Sequence, residues 1–258
     1  MKKIALVPAF LIFLVWFFFT FGLQFVMGTH ESGIDLSEIV SKQLNYGIFL
    51  SALTCLIFAY FGKHQIRVGL SGSRKFTDKV IIIPIIFIII AQIGAFTGGA
   101  YSNSSFVTWV LINTLFVGIS EEMMFRGIFM SSFTNKFGYW PAVIWTSLIF
   151  GGIHVLNGFI TGDFAMATLQ AFMATCSGLL FLAIRVRTLS IITAIILHWI
   201  WDFTVFISGT VITPTEDLVS LIPSMLLVIA PVLFGIIGIL SLRNKKAAEA
   251  YVASQAEG

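Results

Sequence analysis

The chain has 258 residues, of which 58% are hydrophobic and 10% charged, with a mean hydropathy of +0.99 and a net charge of +3. A soluble domain carries about a quarter charged residues, so a water-soluble globule is excluded and no nucleic-acid partner is expected. At about 20 residues per span, this length holds roughly eight membrane-crossing helices and short loops, read as one transmembrane domain, 1–258. Continuous apolar runs predict helices at about 4–27, 44–62, 80–97, 105–130, 140–157, 164–184, 188–208 and 218–242. The runs do not alternate as barrel strands do, so the fold class is an all-α membrane bundle. The first run follows Met1, Lys2 and Lys3, is too long for the core of a signal peptide, and is expected to stay as a helix. Cys55 and Cys176 fall in apolar runs and read as small buried hydrophobes. The tail from Ala247 to Gly258 reads as a fraying helical end.

The loops carry the orientation. With the N-terminus inside, the inner segments hold Lys2, Lys3, Lys63, Arg67, Arg74, Lys75, Lys79, Lys136, Arg185, Arg187, Arg243, Lys245 and Lys246. The outer segments hold one cation, Lys42, beside Glu31, Asp35, Glu38, Asp163, Glu216 and Asp217. This bias follows the positive-inside rule and predicts both termini on the cytoplasmic side of what reads as a bacterial plasma membrane. The basic loop 63–79 is read as a topology signal that meets lipid headgroups.

Three apolar runs hide ionisable groups. The fourth contains Glu121, Glu122 and Arg126, each costing roughly 2.5–3.5 kcal/mol to insert. Glu122 and Arg126 are spaced i, i+4 and share a helix face, so they read as an ion pair. Glu121 is rotated about 100° away and is left for other work. The fifth run carries Phe150-Gly151-Gly152-Ile153-His154, and its glycines are expected to admit a neighbouring backbone. The seventh carries His198 with Asp202 one turn on. Counted from the expected cytoplasmic ends, Glu121 and His198 lie ~15 Å deep and His154 ~21 Å. A carboxylate can take a proton from water, while imidazoles orient that water, steady an oxyanion and protonate a leaving amine. No serine or cysteine stands in a nucleophile context. Two histidines and a glutamate are also zinc-ligand types, but the His-Glu-x-x-His spacing is absent, so zinc is not favoured and no cofactor is expected.

In this order, Glu121-Glu122-Met-Met-Phe-Arg126, Phe150-x-x-x-His154 and His198-x-x-x-Asp202 resemble the CAAX protease and bacteriocin-processing (Abi) family of intramembrane proteases. That family includes the type II CAAX prenyl endopeptidases. The motifs span a catalytic core of about 105–208. The resemblance implies an eight-helix bundle with a cavity open to the cytoplasmic leaflet. Glu121 would be general base, His154 and His198 would flank water and oxyanion, and Glu122 and Arg126 would support them. Asp202 stands where the prenyl proteases often have asparagine. An ionised aspartate donates no hydrogen bond, so it would orient His198 or a water. The expected substrate is a membrane-associated peptide or protein, and the oligomeric state stays open. Two other readings compete: a non-catalytic scaffold for bacteriocin immunity or sensor-kinase regulation, and a proton-coupled transporter. The latter lacks the usual inverted repeats and broken helices.

Overall fold

Asparagine and aspartate punctuate the apolar runs. Asp35, Asn45, Asn103 and Asp163 each accept a hydrogen bond from a backbone N–H in the first turn that follows, at 2.7–3.1 Å. Such caps satisfy amide donors that no helix can satisfy internally. The computed structural model describes residues 3–28, 32–71, 78–209 and 218–256, the last stretch without the side chains of 218–227. Lys2, Glu31, Arg74, Lys75, Glu216 and Asp217 therefore lie outside the described residues.

The helices are α1 (Leu6–Val26), α2 (Leu36–Ser41), α3 (Tyr46–Phe61), α4 (Gln65–Val68), α5 (Lys79–Thr97) and α6 (Ser104–Phe137). They continue with α7 (Tyr139–Thr161), α8 (Phe164–Thr188), α9 (Ile191–Gly209), α10 (Leu218–Leu242) and α11 (Lys245–Ala256). All eight predicted runs are helical, and no strand occurs among the described residues. The chain is a multi-pass membrane protein, and the described residues account for fewer than the eight expected crossings. Among the described residues six helices are long and apolar enough to span a bilayer, or seven if the bent pair α10–α11 is one span. The shortfall includes α3, which Asn45 caps and Gly62 ends after 16 residues.

Two boundaries shift for local reasons. Helix α6 runs on past 130 to Phe137, through a π-helical stretch, Glu122–Phe129, before Gly138 (φ 87°) turns the chain. The tail is not frayed: α11 turns 76° from Val228–Leu242 and buries Tyr251 and Gln255. Gln255 accepts from Ser131 Oγ at 2.6 Å and donates to the Arg67 carbonyl at 3.2 Å. Two cations assigned to the inner segments, Arg67 of the loop expected at lipid headgroups and Arg185, are buried here instead. Arg67 donates to the Gln255 carbonyl, and the Arg185 guanidinium sits 5.1 Å over the Tyr251 ring.

The last turns of α6 pack against both α1 and α11, bringing the two ends of the described chain to one end of the bundle. Lys136, Arg185, Arg187 and Arg243 belong to that end, and Asp35, Glu38 and Asp163 to the other. Packing differs between the two. On the basic side every residue from Glu122 to Thr134 and from Leu180 to Val186 is buried. On the acidic side, of Phe164–Gln170 at the start of α8, only Ala167 is buried. Helices α7 and α8 meet where Gly151 lies: a Cβ there would fall 1.8 Å from Thr175 Oγ1 and 2.8 Å from the Ala171 carbonyl. Gly152 has nothing within 4 Å, so only the first of the two expected glycines admits a neighbour.

Candidate active site

A cavity of about 310 Å³ lies in the acidic half of the bundle. Glu121, His154, His198 and Asp202 all line it, although they come from three helices. Glu122 and Arg126 lie behind the wall, 0% and 1% exposed. All six residues singled out by sequence thus meet in one place. The extension of α6 to Phe137 sets Glu121 deeper from its helix end than the run suggested; the position of His198 along α9 is not altered by it, and Glu121, His154 and His198 all reach the same cavity.

Arg126 Nη1 lies 3.0 Å from Glu122 Oε1, as the i, i+4 spacing anticipated. The contact is an ion pair rather than an aligned hydrogen bond, since neither Nη1 nor Nη2 has a hydrogen-bond acceptor among the described residues. The guanidinium is held by stacking instead, 3.8 Å above the Phe150 ring. A buried cation over an aromatic face is worth ~2 kcal/mol. Gly178 supplies the space: a Cβ at that position would fall 2.6 Å from Arg126 Nη2.

Glu122 does more than neutralise Arg126. His198 Nδ1 lies 2.7 Å from the same oxygen, Oε1. An ionised carboxylate only accepts, so Nδ1 carries the proton and the ring is fixed. Phe181 stacks on that ring at 4.7 Å and 13°. Nε2 then faces the cavity acids, 3.3 Å from Asp202 Oδ2 and 3.8 Å from Glu121 Oε2. Asp202 therefore stands against His198, one of the two placements expected of it.

His154 is set by its own helix. Its Nδ1 lies 2.8 Å from the Phe150 carbonyl, which can only accept. The proton is on Nδ1, and Nε2 is left as the reactive nitrogen. Phe150 thus serves twice, its ring under Arg126 and its carbonyl on His154. Among the described residues no group of three or more His, Cys, Asp or Glu side chains has the arrangement that holds a metal ion.

Sequence reading missed the polar residues of the outer wall. Asn157 and Gln170 line the cavity and bond to each other, Asn157 Nδ2 donating to Gln170 Oε1 at 2.9 Å. Their only sequence signal is that both are amides in apolar runs. Asn113 was missed too. Fully buried in α6, it donates to the carbonyls of Val40 (2.9 Å) and Gln43 (2.7 Å) and accepts from Asn45 N–H (2.9 Å). It anchors α2 against the cavity, where Leu36 and Ile39 form part of the wall. The cavity does not lie toward the basic end, as the family resemblance implied, because the residues between Glu121 and that end are closely packed.

The segment that carries these six residues matches a family model. Residues 102–204 match the family model described as type II CAAX prenyl endopeptidase Rce1-like. The matched segment contains Glu121, Glu122, Arg126, His154, His198 and Asp202. Two curated sequences named Lysostaphin resistance protein A, from two strains of Staphylococcus epidermidis, are each 24% identical over 126 residues. The aligned stretch is 48% of this chain and 32% of each relative, so the chain spans about a third of the length of the curated relatives it matches. No solved structure matches.

Proposed function

We propose that this chain is an intramembrane endopeptidase that cleaves a membrane-associated peptide or protein with a water activated by Glu121. The carrying observation is that Glu121, His154 and His198 converge on one cavity, with His198 fixed by Glu122. Glu121 takes a proton from water, and the hydroxide adds to the scissile carbonyl. Glu121 relays that proton to His154 Nε2, which then donates to the oxyanion. The proton then passes to the amide nitrogen, the C–N bond breaks, and a carboxylate and an amine leave. Asp202 and Glu122 hold His198 from its two nitrogens. The reaction is read as metal-free, since neither the donor arrangement nor the motif spacing suits zinc. Both termini are placed in the cytoplasm and the protein in a bacterial plasma membrane, on the loop charges.

The test is cleavage of a quenched-fluorescence library of apolar peptides by purified protein in detergent or liposomes. Glu121→Gln keeps the shape of the side chain but accepts no proton, and should lose at least ~100-fold in rate, the low end for general-base catalysis. Wild-type cleavage by that variant sinks the assignment. A second reading, a non-catalytic scaffold in bacteriocin immunity, is favoured by the relatives' name alone. It expects a resistance phenotype that survives Glu121→Gln unchanged.

A further inference from the structure

We propose that the substrate reaches Glu121 from the acidic end of the bundle, the extracytoplasmic face, and not from the cytoplasm. The route is a property of the cavity; only the nature of its occupant rests on the endopeptidase reading.

Two independent patterns carry this. The first is packing. Toward the basic end, Met123, Met124, Phe125, Ile128, Phe129 and Met130 are all 0% exposed, and Leu180–Val186 of α8 is buried throughout. Among the described residues no path for a peptide runs through that layer. Toward the acidic end the walls are helix termini: Gln24 near the end of α1, Asn45 capping α3, Ile160 near the end of α7, and Phe206 near the end of α9. The second pattern is charge. The cations Lys63, Lys79, Lys136, Arg187, Arg243 and Lys245 gather at the packed end, and Asp35, Glu38 and Asp163 at the end toward which the cavity lies. Cytoplasmic loops hold the excess of lysine and arginine, so the cavity lies toward the outer face.

The wall on this route fits an extended chain. Asn157 and Gln170 use one donor and one acceptor on each other. Asn157 Oδ1 and a Gln170 Nε2 hydrogen are left, the complement of the N–H and C=O of a peptide unit. Around them Ile153, Ile160, Leu36 and Ile39 offer apolar contacts. The occupant is therefore an extended peptide with apolar side chains, presented at the outer surface or outer leaflet. A lipid-modified terminus held on the cytoplasmic leaflet does not reach the site.

The test is side-specific thiol labelling in whole cells. In a Cys176→Ala background, with Cys55 fully buried, Asn157→Cys and Gln170→Cys are each exposed to a membrane-impermeant charged maleimide. Two variants guard against one failing to fold. Both should label in intact cells and resist the reagent applied to the cytoplasmic face of inverted vesicles. Lys136→Cys should do the reverse. Labelling of the cavity cysteines from the cytoplasmic face, from both faces or from neither overturns the proposal, as does labelling of Lys136→Cys from outside. No cleavage is measured, so a failed protease reading with outward labelling leaves the route standing, and the converse result removes the route alone.

Discussion

His198 Nδ1 and Glu122 Oε1 lie 2.7 Å apart, and the same oxygen faces Arg126 Nη1 at 3.0 Å. One buried carboxylate oxygen therefore couples a structural cation to a histidine of the cavity wall. Removing one partner of such a cluster leaves an uncompensated charge, at a cost of ~3–5 kcal/mol. Arg126→Ala should accordingly lower both folded yield and melting temperature. Glu122→Gln combined with Arg126→Met removes both charges and should recover folded yield. It should not recover hydrolysis, because a neutral amide holds His198 less firmly than a carboxylate. An Arg126→Ala protein that melts like wild type would show that the pair is solvated.

Gly178 is the space into which Arg126 folds. Gly178→Ala pushes the guanidinium off Phe150 and should cost ~1–3 kcal/mol, as overpacking does. Gly152→Ala is the control, since nothing lies within 4 Å of its added methyl. Equal melting temperatures for the two variants would contradict the tight fit at Gly178.

The C-terminal helix should matter to stability from a distance. Gln255 is 1% exposed and joins Ser131 to the Arg67 backbone. Gln255→Leu leaves the Ser131 hydroxyl without its acceptor, at ~1–3 kcal/mol, while the Arg67 carbonyl keeps Arg185 Nη2 at 3.0 Å. The expected readout is faster proteolysis of the tail 245–258 in the folded protein. A tail no more sensitive than in wild type would mean that α11 is held by its other contacts.

Activity should survive removal of metal. Extended dialysis against a strong chelator is expected to leave peptide cleavage unchanged, with well under one zinc per active chain. Loss of cleavage on chelation, restored by one equivalent of zinc, would replace the glutamate-water mechanism with a metal one.

Sequence alone determined the membrane class, the helical segments and the six polar residues of the site. Each follows from a local cost: an ionisable group in a bilayer-length run needs a partner, and i, i+4 spacing makes Glu122 and Arg126 partners before any neighbour is known. What Glu122 does for His198 was not legible, because that contact joins residues 76 positions apart. Asn113, Asn157 and Gln170 stayed hidden for the same reason, since an amide in an apolar run does not say which wall it faces. Among the described residues α3 falls short of a full span, because hydropathy does not register where a cap or a glycine stops it. Only tertiary structure decided which end of the bundle is solid. Loop charges gave both ends a sign, but the closed layer from Glu122 to Thr134 and from Leu180 to Val186 exists only once α6 and α8 have packed, and that layer leaves the cavity on the acidic side.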